Sequence, residues 1–112
     1  MARGVCGRLD VIRDKGMIPS ADLAKIIDAS PETVSRWRQG RAHPRPEAER
    51  MILQLEYVVE QLSGIYEPAE ARLWLFSPQK LLDGATPVDA IRQGRIDDVR
   101  RLVDESRDGV YM

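Results

Sequence analysis

The segment ADLAKIIDASPETVSRWRQG, residues 21–40, decides the fold because it predicts two short helices joined by a tight turn. On the second helix, Val34 and Trp37 are three residues apart, so their side chains share the face that turns inward. Ser30 and Pro31 mark the start of this helix. A serine hydroxyl can cap the first turn, and a proline at the first helical position loses no hydrogen bond.

The same signals recur along the chain. Ser77 and Thr86 each precede a proline, as Ser30 does. Glycines follow the apolar-periodic segments, where a helix often ends in the left-handed region: Gly16, Gly40, Gly64, Gly84, Gly94 and Gly109. No segment alternates as a strand does. We therefore predict an all-α fold of about eight helices: 4–15, 20–28, 31–39, 46–63, 68–76, 78–83, 87–93 and 95–107.

Length and composition indicate one or two small compact units. The chain has 112 residues, of which 43% are hydrophobic and 31% charged, a globular composition. Cys6 is the only cysteine, so no intramolecular disulfide can form. No apolar run approaches the ~20 residues of a membrane span, and residues 1–10 carry no signal-peptide core. We expect a cytoplasmic protein.

The predicted helix 46–63 is long and has a wide apolar stripe. Its apolar positions at helical spacing are Ala48, Met51, Ile52, Leu55, Val58, Val59 and Leu62, widened by Leu53 and Tyr57. Such a stripe can pack entirely inside one chain, or part of it can form a dimer seam, and both interpretations remain open. We place a domain boundary after this helix, which divides the chain into residues 1–64 and residues 65–112.

Charge is distributed unevenly between the two halves. Residues 1–50 contain 10 lysines and arginines against 7 acids, whereas residues 51–112 contain 7 against 11. A basic half joined to an acidic half suggests two surfaces with two different partners, although chance can also produce so small a difference.

The basic excess lies on and after the second helix of the opening segment, which resembles the helix-turn-helix of the Xre and phage-repressor class. In that class the second helix enters the major groove of DNA. The positions that would meet bases or phosphates are Glu32, Thr33, Ser35, Arg36, Arg38, Gln39, Arg41 and Arg45. Asp28 stands where the turn often carries glycine, and aspartate can adopt the same left-handed conformation. A helix-turn-helix that serves only for packing is the alternative.

The second half contains apolar residues that we predict to form a core and no set of residues suited to catalysis. The apolar set is Leu73, Trp74, Phe76, Leu81, Leu82, Val88, Ile91, Ile96, Val99, Leu102 and Val103. The acids lack metal-ligand spacing, the only histidine is His43, and no phosphate-binding loop occurs. We expect neither an enzyme nor a bound metal or cofactor.

Within that half, WLFSPQKLLDGATPVDAIRQGRIDDVRRLVD, residues 74–104, resembles the C-terminal toxin-binding domain of Xre/MbcA/ParS-type antitoxins. The resemblance implies an N-terminal helix-turn-helix bundle followed by a small helical toxin-binding domain. It also implies that the protein is an antitoxin, which sequesters a RES-domain toxin. Toxins of this class are enzymes that consume NAD. The antitoxin is further expected to repress its own promoter. A homodimer or a larger assembly with the toxin is then expected. The alternative is a stand-alone helix-turn-helix regulator without a toxin partner.

The resemblance and the acidic charge of the second half together indicate where the toxin binds. Acidic residues of the last helix are the predicted contacts: Asp97, Asp98, Asp104 and Glu105. The segment Gly109, Val110, Tyr111 and Met112 is expected to enter a pocket on the toxin and block access to the NAD site. Alternatively, this apolar tail folds back on its own core.

Overall fold

The computed structural model describes residues 4–109. Within this range the chain forms seven α-helices and one 3-10 turn, and no strand. The helices are α1 (Val5–Gly16), α2 (Ser20–Ile26), α3 (Pro31–Arg38), α4 (Pro46–Leu62), α5 (Pro68–Leu75), α6 (Pro87–Arg92) and α7 (Ile96–Gly109), and the 3-10 turn is Lys80–Leu82. The all-α prediction is confirmed.

Two of the predicted helix starts are confirmed by their hydrogen bonds. The backbone N–H of Thr33 donates to Oγ of Ser30 over 3.1 Å, and the N–H of Asp89 donates to Oγ1 of Thr86 over 3.0 Å. In both helices a proline follows the cap at the first helical position. These local signals correctly set the N-termini of α3 and α6.

The start predicted at Ser77 is wrong. The hydroxyl of Ser77 donates to the carbonyl oxygen of Leu73 over 2.5 Å. It therefore pairs with a free carbonyl group at the end of α5 and does not cap the N-terminus of a new helix. The predicted helix 78–83 is reduced to the 3-10 turn Lys80–Leu82. Asp83 follows this turn in the left-handed conformation, with φ of 58°, and stops it.

Gly16 does not end α1 in the way predicted for the glycines. The left-handed residue after α1 is Met17, with φ of 53°, and Gly16 is the last helical residue. Gly16 is buried where α1 crosses α4, and a Cβ atom there would lie only 2.9 Å from Cγ2 of Val59. The prediction of a positive φ is confirmed at three other glycines: Gly40, Gly84 and Gly94.

Helix α4 lies at the centre of the hydrophobic core. Its buried apolar residues are Met51, Ile52, Leu55, Val58, Val59 and Leu62. Around it, one continuous cluster of buried residues combines side chains of α1, α2 and α3 with side chains of α5, α6 and α7. The core therefore continues across Gly64, where the sequence suggests a boundary.

A charged pair, which the sequence pattern did not predict, is part of the α1–α4 contact. Glu56 is buried on α4, and its Oε1 accepts a hydrogen bond of 2.6 Å from Nη1 of Arg8 on α1. Lys15 and Glu60 form a second, more exposed ion pair of 2.9 Å between the same helices. A carboxylate on the buried side of a helix needs such a partner because desolvation of an isolated charge is costly.

Several apolar residues predicted for the core are exposed. Leu73 is 70% exposed and Leu81 is 63% exposed, while Phe76 is partly exposed and Trp74 is half-buried at the edge of the core. The other members of the predicted set are confirmed as core residues or pack against the core: Leu82, Val88, Ile91, Ile96, Val99, Leu102 and Val103. None of the helices in residues 4–109 has an apolar run that could span a bilayer.

Candidate functional surfaces

The first candidate surface is built by α2, the turn after it and α3. Asp28 occupies the turn with φ of 56°, so the left-handed conformation expected there is confirmed. Leu23 of α2 and the two inward residues of α3, Val34 and Trp37, are buried. Their burial fixes the rotation of α3 and leaves its opposite face to solvent.

The outward face of α3 carries most of the residues predicted to contact DNA bases. Glu32, Ser35 and Arg36 are exposed, as is Gln39 at the end of the helix. Thr33 is half-buried, and its hydroxyl lies 2.8 Å from Oγ of Ser30. The structure thus brings these five residues together on one polar face, whose contact with DNA stays a prediction.

The four arginines of this region differ in their surroundings. Arg36, Arg41 and Arg45 are exposed, and each is without an ion-pair partner among residues 4–109. Arg38 is half-buried instead. Its Nη1 contacts Oδ1 of Asp10 at 2.6 Å, and its Nη2 donates to Oγ of Ser20 over 3.4 Å. Arg38 therefore ties α3 to α1 and α2.

The second candidate surface is the outer side of α7. Asp97, Asp104 and Glu105 are exposed, and Asp98 is half-buried. Asp98 contacts Arg95 at 3.1 Å and Arg101 at 3.8 Å, and Asp104 contacts Arg107 at 2.8 Å. Asp97 and Glu105 form no ion pair within residues 4–109.

The structure separates these four acids into two groups. Asp98 and Glu105 line one small cleft together with Leu81, whereas Asp97 and Asp104, seven residues apart, lie two turns from each other on the outer face. Gly109 is the last residue of α7. The remaining predicted toxin contacts, Val110, Tyr111 and Met112, lie outside the described residues.

A shallow cleft between α4 and α7 contains the part of the α4 stripe that the core does not cover. Leu53 and Tyr57 of α4 are exposed, and they line this cleft of about 250 Å³ with Ile96 and Arg100 of α7. The guanidinium of Arg100 lies over the Tyr57 ring, 5.3 Å from its centroid, at a distance typical of a cation–π contact. Most of the stripe is core, and a dimer seam would have to use this remainder.

Arg13 and Asp14 are exposed neighbours on α1 that form a hydrogen bond with each other. Nε of Arg13 donates to Oδ1 of Asp14 over 2.8 Å. This hydrogen bond is the largest cause of two shifts: the pKa of Asp14 is lowered and the pKa of Arg13 is raised. The pair lies on the solvent side of α1, on neither of the two candidate surfaces.

Comparisons with known proteins agree on one family of relatives. Residues 54–109 match the family described as the antitoxin Xre/MbcA/ParS C-terminal toxin-binding domain. The mycobacterial cidal antitoxin MbcA of Mycobacterium tuberculosis is 33% identical over 91 residues, which are 81% of this chain and 80% of MbcA. The chain belongs to the Xre/MbcA/ParS antitoxin family. A probable mycobacterial cidal antitoxin of the same organism is 34% identical to this antitoxin over 93% of the chain and 88% of the relative.

A solved structure resembles the antitoxin over nearly the whole given sequence. One chain in the crystal structure of the M. tuberculosis MbcT–MbcA toxin–antitoxin complex superimposes with a TM-score of 0.81 and 28% sequence identity, covering 99% of the antitoxin and 100% of that chain. The family match begins at residue 54, inside α4, and ends at Gly109. It therefore contains α5, the 3-10 turn, α6 and α7 entirely.

Sequence reasoning missed one feature of the segment that matches the toxin-binding domain, namely the exposed leucine on the 3-10 turn. Leu81 and Leu82 are adjacent, so only one of them can point into the core from a single tight turn. Leu82 is buried and Leu81 is not. The two adjacent leucines in the sequence could have indicated that one of them is exposed to solvent, although they do not indicate which one.

Proposed function

We propose that this chain neutralises a RES-type, NAD-consuming toxin by occluding the toxin's active site. The observation that carries the proposal is the likeness, over 99% of the chain, to a chain of the crystallised MbcT–MbcA toxin–antitoxin complex. The segment that matches the toxin-binding domain includes the acidic outer face of α7, whose carboxylates suit a cationic protein surface. The RES class of the toxin and its use of NAD rest on the resemblance of residues 74–104.

Occlusion is assigned to the segment that continues the chain beyond α7. Gly109 ends α7, and Val110, Tyr111 and Met112 follow it in the sequence. The Tyr111 ring can fill a flat slot and present its hydroxyl, while the two neighbouring side chains cover apolar walls. Inhibition would then be steric, since a plug in the NAD site keeps the substrate out without any chemistry by the antitoxin.

The test is co-expression of the chain with its cognate toxin. We expect the two proteins to purify as one complex, and we expect a stoichiometric amount of the antitoxin to reduce NAD consumption by the toxin to background. The matched control adds a protein of similar size from outside the family at the same concentration. Unchanged NAD consumption with the antitoxin present would refute the proposal.

We propose in addition that the antitoxin acts in the cytoplasm as a repressor of its own operon. It would bind the operator through α2 and α3, as a dimer or as an assembly with toxin. The support is the polar outward face of α3 next to three exposed arginines, Arg36, Arg41 and Arg45, which form no ion pair within residues 4–109. Free guanidinium groups can release counterions from DNA phosphates. A stand-alone regulator would bind the operator equally well but would fail to capture the toxin.

A further inference from the structure

The 3-10 turn Lys80–Leu82 buries one leucine and presents the next one to solvent. Leu82 is 1% exposed and Leu81 is 63% exposed. The loop around them is closed by backbone hydrogen bonds, from the N–H of Gln79 to the carbonyl of Ala85 over 3.0 Å and from the N–H of Gly84 to the carbonyl of Gln79 over 2.9 Å. The exposed side chain therefore stands on a rigid base rather than on a loose loop.

Arg95 fixes this turn to the beginning of α7. Its Nη1 donates to the carbonyl oxygen of Leu82 over 3.4 Å, and its Nε donates to Oδ2 of Asp98 over 3.1 Å. Its Nη2 also lies 3.7 Å from a carboxylate oxygen of Asp83. A backbone held in place before binding loses little conformational entropy when a partner covers it, so an exposed leucine on a hydrogen-bonded turn is an efficient contact.

The surroundings of Leu81 indicate what kind of partner fits. Beside it is a cleft of about 90 Å³, lined by Asp98, Arg101, Leu102 and Glu105 of α7. Leu102 contributes apolar surface, and Glu105 contributes an exposed carboxylate that forms no ion pair within residues 4–109. An apolar side chain beside the exposed carboxylate of Glu105 is complementary to an apolar recess flanked by lysine or arginine.

We infer that the toxin docks on Leu81 and the cleft beside it, which together we call the Leu81 surface, and that Leu81 is its main apolar anchor. This inference rests on the proposed function, because the occupant is the toxin. Two observations favour the toxin over other partners. The surface lies inside the segment that matches the toxin-binding domain, and Glu105 is only four residues, about 6 Å along the helix, from Gly109, where the proposed occluding segment begins.

The chain offers a matched control in Leu73. It is slightly more exposed than Leu81, but it lies on α5 and does not line the cleft beside α7. Leu81→Ala and Leu73→Ala remove the same atoms from two exposed sites, so neither variant should change the melting temperature appreciably. A difference between them in toxin binding then reports the docking surface.

The experiment measures the affinity of the full-length antitoxin variants for the cognate toxin, by calorimetry or surface plasmon resonance. We expect Leu81→Ala to weaken binding about thirtyfold, as truncation of an interface anchor does, and Leu73→Ala to leave it within about threefold. Leu81→Met, which keeps the apolar volume, should restore most of the affinity. Helix content from circular dichroism confirms that each variant is folded.

The outcomes separate this inference from the proposed function. If the unaltered chain does not bind the toxin, both the proposed function and this inference are refuted. If the unaltered chain binds but Leu81→Ala binds equally well, the function stands and the docking surface is elsewhere. Equal losses in Leu81→Ala and Leu73→Ala would also overturn the assignment, because the loss would not be specific to the Leu81 surface.

Discussion

At the residue scale, Gly16 determines how closely α1 approaches α4. The site tolerates no Cβ atom without movement of the Val59 side chain, which is fully buried and branched at Cβ. A stiff side chain in a packed core cannot move aside cheaply. Gly16 is thus a packing requirement, while Met17 makes the left-handed turn that the glycine would have made more easily.

We predict that Gly16→Ala lowers the free energy of unfolding by about 1 kcal/mol, because overpacking outweighs the gain in helix propensity. Chemical denaturation measures this change. In a Val59→Ala background the added methyl group has room, so Gly16→Ala should there cost nothing or stabilise the helix. An equal loss in both backgrounds would show that the Val59 contact is not the cause.

Removal of the single positive charge of Arg41 tests the proposed contact with DNA phosphates. Because Arg41 is exposed and without an ion pair in the described part of the chain, its removal should not disturb the fold. We predict that Arg41→Ala weakens binding to all DNA sequences alike and reduces the slope of log K against log salt by about 1. Gel shifts on the promoter at several salt concentrations measure both quantities.

Lys80 is the matched control for Arg41. It too is exposed and without an ion pair within residues 4–109, but it lies on the 3-10 turn of the second half. Lys80→Ala should leave the salt dependence unchanged if DNA contacts only the α2–α3 region. A fall in slope of the same size in both variants would indicate attraction by overall charge rather than a phosphate contact at Arg41.

At the scale of the element, α7 is proposed to contribute both to docking of the toxin and to its inhibition. Its inner face supplies Val99, Leu102 and Val103 to the core, and its outer face carries the acidic residues. At its end it directs the chain toward the proposed occluding segment. Docking and inhibition can therefore be separated by removing the end of the chain while α7 remains folded on its core.

We predict that a chain truncated after Asp108 still binds the toxin but inhibits its NAD consumption poorly. The Leu81 surface and the acidic face of α7 are retained, whereas the proposed plug for the NAD site is lost. Affinity is measured by calorimetry and inhibition by the rate of NAD loss, with the full-length antitoxin as reference. Full inhibition by the truncated chain would exclude the plug, and loss of binding would instead assign the segment to docking.

At the scale of the whole molecule, the two halves share one core. Arg72 on α5 illustrates the connection, since its Nη1 donates to the carbonyl of Met17 over 2.8 Å and contacts Asp22 of α2 at 2.9 Å. Nη1 of Arg50 on α4 likewise donates to the carbonyl of Ile91 over 3.3 Å. Elements on either side of Gly64 are thus joined by apolar packing and by polar contacts.

We predict that the chain unfolds in a single cooperative transition, because neither half keeps its core covered without the other. Trp37 lies in α3 and Trp74 in α5, so Trp74→Phe and Trp37→Phe each leave one fluorescent reporter in one half. In both variants the fluorescence transition should coincide with the loss of helix by circular dichroism. A fluorescence change that precedes the loss of helix would indicate that the halves unfold independently.

The sequence by itself determined the helices and most of their starts. Ser30 and Thr86 cap their helices because the groups that they satisfy are three residues away, and Val34 and Trp37 face inward because neighbouring turns place them together. These interactions are local, so they can be inferred from spacing alone. The polar face of α3 and the acidic face of α7 could be predicted for the same reason.

Only the tertiary structure decided which apolar residues the other helices cover and which charges find partners far along the chain. Periodicity places Leu73 and Leu81 on helical turns, but whether another helix covers them depends on elements many residues away, and both remain exposed. Arg8 meets Glu56 across 48 positions, and Arg38 meets Asp10 across 28. Such contacts depend on the packing of whole helices, which no spacing within one segment specifies, and for this reason the Leu81 surface emerged from the fold rather than from the sequence.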